Sequence, residues 1–391
     1  MLNFSVNEPW FIGLFLIAPF VLRISGRVRK IAFFALSAGL FVLALSSPWQ
    51  GGITLVFVLL PWVWSRIGKG KWVKLPVILL LVLAFVYLNR YTFMYGFLGV
   101  PSLPFKFLGL SYMLFRAIDY LFQYPYLRAH TKAGDILDYI NYMFSFYTLS
   151  AGPIARFEEF LEDFAAVPEP LEFGRILRLL NRAATGFVKL LFVAEIFHGF
   201  AKWGFAGLSG EKNHAVAFLV FAVCNALYIY FNFSGYCDAV IAFAALAGFR
   251  LPENFDQPWL ARNLAEFWNR WHITLSRWIR DYVYSPLYKF LITSPMKNHL
   301  AAARILALFF TFLLAGCWHG ATVNYVVYGL TQGLGVAVAT IYKSALNKRL
   351  GKKKAREFQA KSAVKWIERT ICMAYVCLSF TLIGWDMVGL L

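Results

Sequence analysis

The sequence predicts an all-α polytopic membrane protein, and three observations carry that prediction. Of its 391 residues, 60% are hydrophobic and only 15% are charged, where soluble domains run near half and a quarter. The apolar residues recur as long runs, and no polar block is large enough to form a soluble head. Lys and Arg collect in the gaps between those runs and give a net charge of +18, as membrane topology requires of basic loops. Aromatic residues at 19% and a mean hydropathy of +0.60 fit lipid-facing helices with interfacial belts.

In chain order the runs cover residues 10–22, 31–45, 53–64, 75–88, 187–200, 215–231, 239–249, 301–317, 325–342 and 371–385. A helical crossing takes roughly 20 residues, with about 17 as the lower end, so several runs must borrow flanking Trp, Tyr and Gly. The expectation is about ten to twelve crossings, with further helices that lie in or re-enter the membrane. No domain boundary or internal repeat is visible, so residues 1–391 read as a single polytopic domain.

Basic clusters at residues 23–30, 66–74, 128–132, 175–182 and 343–369 set the orientation. They predict an extracytoplasmic N-terminus, residues 66–74 and 343–369 inside, and residues 89–104 mostly outside. The clusters alternate with spans instead of sharing one domain, which argues against nucleic-acid binding. The segment 343–369 reads as a solvated cytoplasmic helical hairpin or loop, with docking to an acidic partner as the alternative. MLNFSVNEPW lacks a positive n-region and carries Glu8, so no cleaved signal peptide is expected. Cys224, Cys237, Cys317, Cys372 and Cys377 lie in or beside apolar runs without CxxC spacing. They read as small buried hydrophobes, and neither a disulfide framework nor a zinc site is indicated.

Two irregular stretches interrupt this pattern. In SAGPIARFEEFLEDFAAVPEPLEF, residues 150–173, Gly152-Pro153 breaks a span, and Pro168 and Pro170 stop the next helix. Such a break is either a loop in the headgroup region or a re-entrant turn enclosed by protein near a site. The second stretch is FWNRWHITLSRWIRDYVYSPLY, residues 267–288. At helical spacing Leu264, Phe267, Trp268, Trp271, Leu275, Trp278, Ile279 and Tyr282 share one arc. Glu266, Asn269, Arg270, Ser276, Arg277, Arg280 and Asp281 fall opposite. Read as one helix over residues 264–282, this is an aromatic and basic amphipathic element lying in the interface plane. His272 sits at the edge of the apolar arc, pointing inward.

A lone His there would be a hydrogen-bonded packing residue, but His319 stands at the end of a deep apolar run, in AGCWHGATVNYVVYGL. An ionisable group at that depth is costly and is a functional hypothesis by default. Gly316 and Gly320 flank it and permit close backbone approach. His130, His198, His214 and His299 are weaker candidates. The chain has no HExxH, no P-loop and no GxSxG. Two imidazoles without metal-ligand spacing suit a general base plus a group that orients substrate or stabilises an oxyanion. Acyl transfer to a hydroxyl fits, as one candidate among several. A transporter with a His proton relay would show more intramembrane carboxylates than the scattered Asp119, Glu195, Asp238 and Asp386. A non-catalytic scaffold would be suggested by loss of His319, which is present.

Four stretches together carry a resemblance. SAGPIARFEEF, YFNFSGYCDAVIAFAALAGFRLPENFDQPW, EFWNRWHITLSRWIRDYVYSPL and GCWHGATVNYVVYGLTQG occur in order and cover most of residues 105–340. In these the chain resembles the membrane-bound O-acyltransferases, in the bacterial branch of alginate O-acetylases and teichoic-acid D-alanyl transferases. The resemblance implies a ring of transmembrane helices around a thin, funnel-shaped centre, with acyl transfer through a tunnel. It maps the family's invariant histidine onto His319, and a second position, His or Asn by branch, onto His272. Trp318, Asn324, Trp268, Trp271, Asp238, Arg156, Arg280 and Asp281 are then the candidates for tunnel and substrate contacts. No bound cofactor or metal is expected. Its acyl donor is a thioester on an acyl carrier protein or acyl-CoA, reached from the cytoplasm. Membrane lipids and an extracytoplasmic glycan acceptor or relay partner complete the implied partners, and the cytoplasmic membrane is the implied location. SPLYKFLIT stands where alginate O-acetylases are glycine-rich, whereas FSGYCD and GFRLPENF look like that side. Both acyl groups therefore stay in view.

Overall fold

The structure, a computed structural model, describes residues 9–67, 74–89, 107–130, 134–210, 213–293, 296–320 and 322–388. The expectations for the extreme N-terminus, for most of residues 89–104 and for the middle of 66–74 lie outside the described residues. Among the described residues the regular structure is helical, apart from an isolated antiparallel bridge between Phe255 and Trp271. The chain forms two compact units: Met1–Gly186 with Tyr236–Pro252, and Phe187–Gly235 with Glu253–Leu391.

The first unit contains α1 (Pro9–Val21), α2 (Gly26–Leu43), α3 (Pro48–Ile67), α4 (Lys74–Leu88), α5 (Leu110–His130), α6 (Ile136–Met143) and α7 (Phe157–Ala165). It also takes most of α8 (Phe173–Val188) and the end of α10 (His214–Leu246). Its core is aromatic: Phe33 packs on Phe146, Phe160, Phe164 and Phe249. α5 was invisible as an apolar run because it carries Arg116 and Asp119, both buried. Those charges are tolerated because each is matched. Asp119 accepts from Gln123 Nε2 at 2.9 Å, Tyr142 Oη at 2.9 Å, Arg156 Nη1 at 2.9 Å and the Phe157 amide at 2.8 Å. Arg116 donates to the carbonyls of Met143 at 2.8 Å and Thr148 at 2.9 Å.

These bonds flank the Gly152-Pro153 break. Ala151 and Ile154 beside it are buried, and the Gly152 carbonyl accepts from Tyr112 Oη at 3.0 Å. The break is enclosed by protein, which is how non-helical backbone is accommodated in a membrane protein.

In the second unit α8 runs through a π-helical turn, Lys189–Val193, into α9 (Ala194–Gly207). α11 (Leu264–Arg270), α12 (Ile273–Ile279), a π-helical turn at Arg280–Tyr284 and α13 (Ser285–Thr293) follow the loop after α10. The chain then forms α14 (Leu300–His319), α15 (Val323–Ala360) and α16 (Ser362–Val388). Leu264, Phe267 and Trp271 pack with Tyr328, Val336, Cys372, Val376 and Phe380, which seats α11 against α15 and α16.

Six helices among the described residues are long and apolar enough to cross a membrane, and Lys74–Leu88 is a shorter apolar one. The runs 215–231 and 239–249 are joined: Asn232 to Asp238 stays helical, so both belong to the 33-residue α10. One sequence expectation is corrected, the single helix over residues 264–282, which is broken between Arg270 and Ile273. The segment 343–369 is a helical hairpin, as one reading held: α15, broken at Gly351, turns at Lys361 into α16. All five cysteines are free, with Cys237 and Cys372 buried.

Candidate active site

His319 is the last residue of α14, and glycines set its position. A Cβ on Gly316 would lie 2.4 Å from the Tyr325 carbonyl oxygen and 2.6 Å from the Gly329 Cα, so α14 and α15 touch backbone to backbone there. A Cβ on Gly320 would fall 2.1 Å from the Tyr325 ring. Any side chain at Gly320 would have to displace that ring. Asp386 of α16 ties down its far side, accepting from Thr322 Oγ1 and, at 2.7 Å, from Asn324 Nδ2. The His319 ring is flanked by Trp318, with centroids 4.6 Å apart, and by Tyr328 at 5.9 Å, edge-on at 80°. No hydrogen-bond partner reaches its ring nitrogens among the described residues.

His272 occupies the break between α11 and α12, in the left-handed region at φ 43° and ψ 53°. That conformation costs a non-glycine residue roughly 1–2 kcal/mol and persists only where its surroundings enforce it. Here the segment Asn254–Asp256 does so. The Asp256 amide donates to the Arg270 carbonyl at 2.9 Å, and the Ile273 amide to the Asn254 carbonyl at 3.0 Å. Asn254 Oδ1 accepts from Thr274 N at 3.2 Å and Thr274 Oγ1 at 2.6 Å. The continuous helix fails for this reason. A distant strand-like segment supplies the backbone partners that a helix would otherwise supply, and Trp271 stacks on Phe267 at 5.4 Å and 18°.

The His272 side chain is buried. Its Nδ1 lies 3.4 Å from Asn254 Oδ1, and Phe233 meets its ring edge-on at 4.7 Å and 72°. Burial first, and the neighbouring His319 second, push the His272 imidazole down from its ordinary value to about 3. The ring is neutral at physiological pH. His319's influence also shows that the two imidazoles, distant in sequence, are electrostatic neighbours.

Of the other sequence candidates, Trp318 lies beside His319, and Trp271 packs on Phe380, which also meets Tyr328. Trp268 packs at a tilt on Phe312, and its buried indole Nε1 has no acceptor among the described residues. Asn324 is engaged by Asp386. Arg280 and Asp281 pair with each other at 3.1 Å in an exposed turn. Arg156 and Asp238 belong to the first unit, where Arg156 pairs with Asp119 at 2.9 Å and Asp238 with Arg182 at 3.0 Å. Two residues of the site were not singled out by sequence reasoning. Asn254 gives no periodic signal, and Asp386 counted only as one of several scattered carboxylates. Among the described residues no group of three or more His, Cys, Asp or Glu is arranged to hold a metal.

A buried His272, and a half-buried His319 close enough to act on its charge, mark the chain as one of a class, the multi-pass membrane proteins that hold ionisable groups in an apolar setting. The chain belongs to the membrane-bound O-acyltransferase family, whose profile matches residues 126–385. It is 34% identical over 232 residues to a probable alginate O-acetylase of Pseudomonas fluorescens, covering 59% of this chain and 44% of that protein. To a teichoic acid D-alanyltransferase of Streptococcus thermophilus it is 29% identical over 262 residues, covering 64% of this chain and 61% of that protein. A peptidoglycan O-acetyltransferase of Helicobacter pylori is 33% identical over 216 residues, which are 54% of this chain and 39% of that protein. The chain thus matches about half the length of these curated relatives, from 39% to 61%.

Proposed function

We propose that the protein is a membrane O-acyltransferase that moves an acyl group from a thioester to a hydroxyl. The observation that carries this reading is His319, whose ring nitrogens are uncommitted among the described residues, in the electrostatic neighbourhood of buried, neutral His272. His319 takes the proton of the acceptor hydroxyl as its oxygen attacks the thioester carbonyl. The new C–O bond forms, the C–S bond breaks, and the leaving thiolate recovers the proton from His319. A neutral imidazole is suited to this because it can accept a proton near neutral pH. Family membership and the names of the relatives support the same reaction class.

The finer reading follows the basic loops. The donor, an acyl carrier protein or acyl-CoA, approaches from the cytoplasmic side of the inner membrane, where the Lys- and Arg-rich hairpin of α15 and α16 would lie. The acceptor is an extracytoplasmic glycan, cell-envelope polymer or relay partner, and the transferred group is of the acetyl or D-alanyl class. The deciding experiment is His319→Ala, tested for membrane insertion and then for acylation of the acceptor. A positioned base is worth about 10² to 10⁴ in rate. Transfer near the wild-type rate would remove His319 from the chemistry.

A further inference from the structure

The hydrogen bonds around Asn254 determine which nitrogen of His272 carries the proton. Asn254 is wholly buried, and one atom of its side-chain amide faces both the Thr274 backbone N–H at 3.2 Å and the His272 ring at 3.4 Å. A backbone N–H can only donate, so the amide atom that meets it must be the oxygen. This fixes the orientation of the amide without reference to the histidine. The Thr274 hydroxyl donates to the same oxygen at 2.6 Å. An amide oxygen can only accept, so the ring nitrogen directed at it, Nδ1, must be the protonated one. In a neutral imidazole Nε2 then bears the lone pair.

We infer that Asn254 is a positioning residue which holds His272 as the Nδ1–H tautomer and makes Nε2 a hydrogen-bond acceptor in the acyl-transfer site. The inference deepens the proposed acyltransferase function and rests on it for its catalytic consequence. Of the two roles the sequence left open for His272, this excludes one. A neutral ring whose only N–H is directed at Asn254 has no donor left for an oxyanion. It can accept from the acceptor hydroxyl, orienting that oxygen for attack or sharing its proton with His319. The same residue enforces the ring's backbone, since the Asn254 carbonyl receives the Ile273 amide at 3.0 Å just after the left-handed His272. Burial keeps the ring neutral, so the tautomer persists across the physiological range.

The test uses the full-length protein in lipid vesicles with ¹⁵N-labelled histidine. The His272 resonances are identified by their loss in His272→Asn. In the wild type Nδ1 is expected to be protonated and Nε2 not. Asn254→Asp keeps an acceptor oxygen and should keep that tautomer, while Asn254→Ala should mix the two forms. In acyl transfer Asn254→Ala should lower kcat about 10- to 100-fold with KM little changed, the usual scale for an orienting partner, and Asn254→Asp should recover most of it. An Nε2–H tautomer in the wild type overturns the inference, as does a tautomer unaffected by Asn254→Ala. If Asn254→Ala does not fold, the wild-type and Asn254→Asp spectra decide alone. If His272→Ala retains full activity while the spectra come out as expected, the catalytic reading of His272 fails and the tautomer assignment stands.

Discussion

One polar side chain of the first unit and two of the second are treated in opposite ways. In the first, Asp119 is surrounded until its oxygens are consumed, with four donors between 2.8 and 2.9 Å from three parts of the chain. In the second, His319 is given no partner among the described residues, and His272 is anchored through one nitrogen only. A group with every valence satisfied locks a structure together, because removing any partner leaves a desolvated group behind. A group with a free valence contributes little to stability and is available to a substrate. Among these three residues it is saturation that separates the structural carboxylate from the imidazoles available to a substrate.

Four substitutions would break or sharpen that contrast. Asp119→Ala should have the largest effect, because it removes the shared acceptor of the Arg156 guanidinium, the Tyr142 hydroxyl, the Gln123 amide and the Phe157 N–H. The expected loss is about 3–5 kcal/mol, the scale for breaking a buried ion pair, seen as loss of the monodisperse protein on mild heating in detergent. His319→Ala under the same conditions should remain folded. If the two variants melt together, the contrast is wrong.

Asp386→Ala should come next. It removes the carboxylate that accepts from Thr322 and Asn324 and so frees the turn after His319. Two unsatisfied donors at a half-buried site are worth about 1–3 kcal/mol. Because the turn carries His319, activity should fall further than the stability loss accounts for. Equal falls would mean that Asp386 serves the fold alone.

The smallest effect is pH dependence. The folded state holds the His272 imidazole near 3, whereas an unfolded His titrates near 6.5. Below about pH 6.5 the unfolded chain gains a proton that the folded protein refuses. The contribution of this group to stability is therefore complete above about pH 6.5 and is lost as pH falls toward 3. His272→Asn should flatten the loss of stability between about pH 6.5 and 5. An unchanged slope would place the titrating group elsewhere.

Much of this molecule was legible in the sequence. Helical spacing correctly placed Leu264, Phe267, Trp271, Leu275 and Trp278 on a buried face, since each piece of the broken element keeps its own periodicity. The Gly-Pro break and the glycines around His319 were visible because those residue types have few other uses in an apolar setting. What stayed hidden depends on distant partners. α5 reads as too polar for its burial, because the acceptors for Arg116 and three of the four donors to Asp119 come from residues 142 to 157.

By itself, the sequence determined that the chain is helical and polytopic, and it picked out His319 and His272. These follow from transfer free energy and local periodicity, which each segment carries alone. Only the tertiary structure decided that the His272 segment is broken, that Asn254 holds it, and that the two imidazoles are neighbours. A helix through residue 272 and a break there differ locally by little more than the cost of one left-handed residue. Hydrogen bonds from residues 254 to 256 decide between them, and no local pattern announces a partner some eighteen positions away.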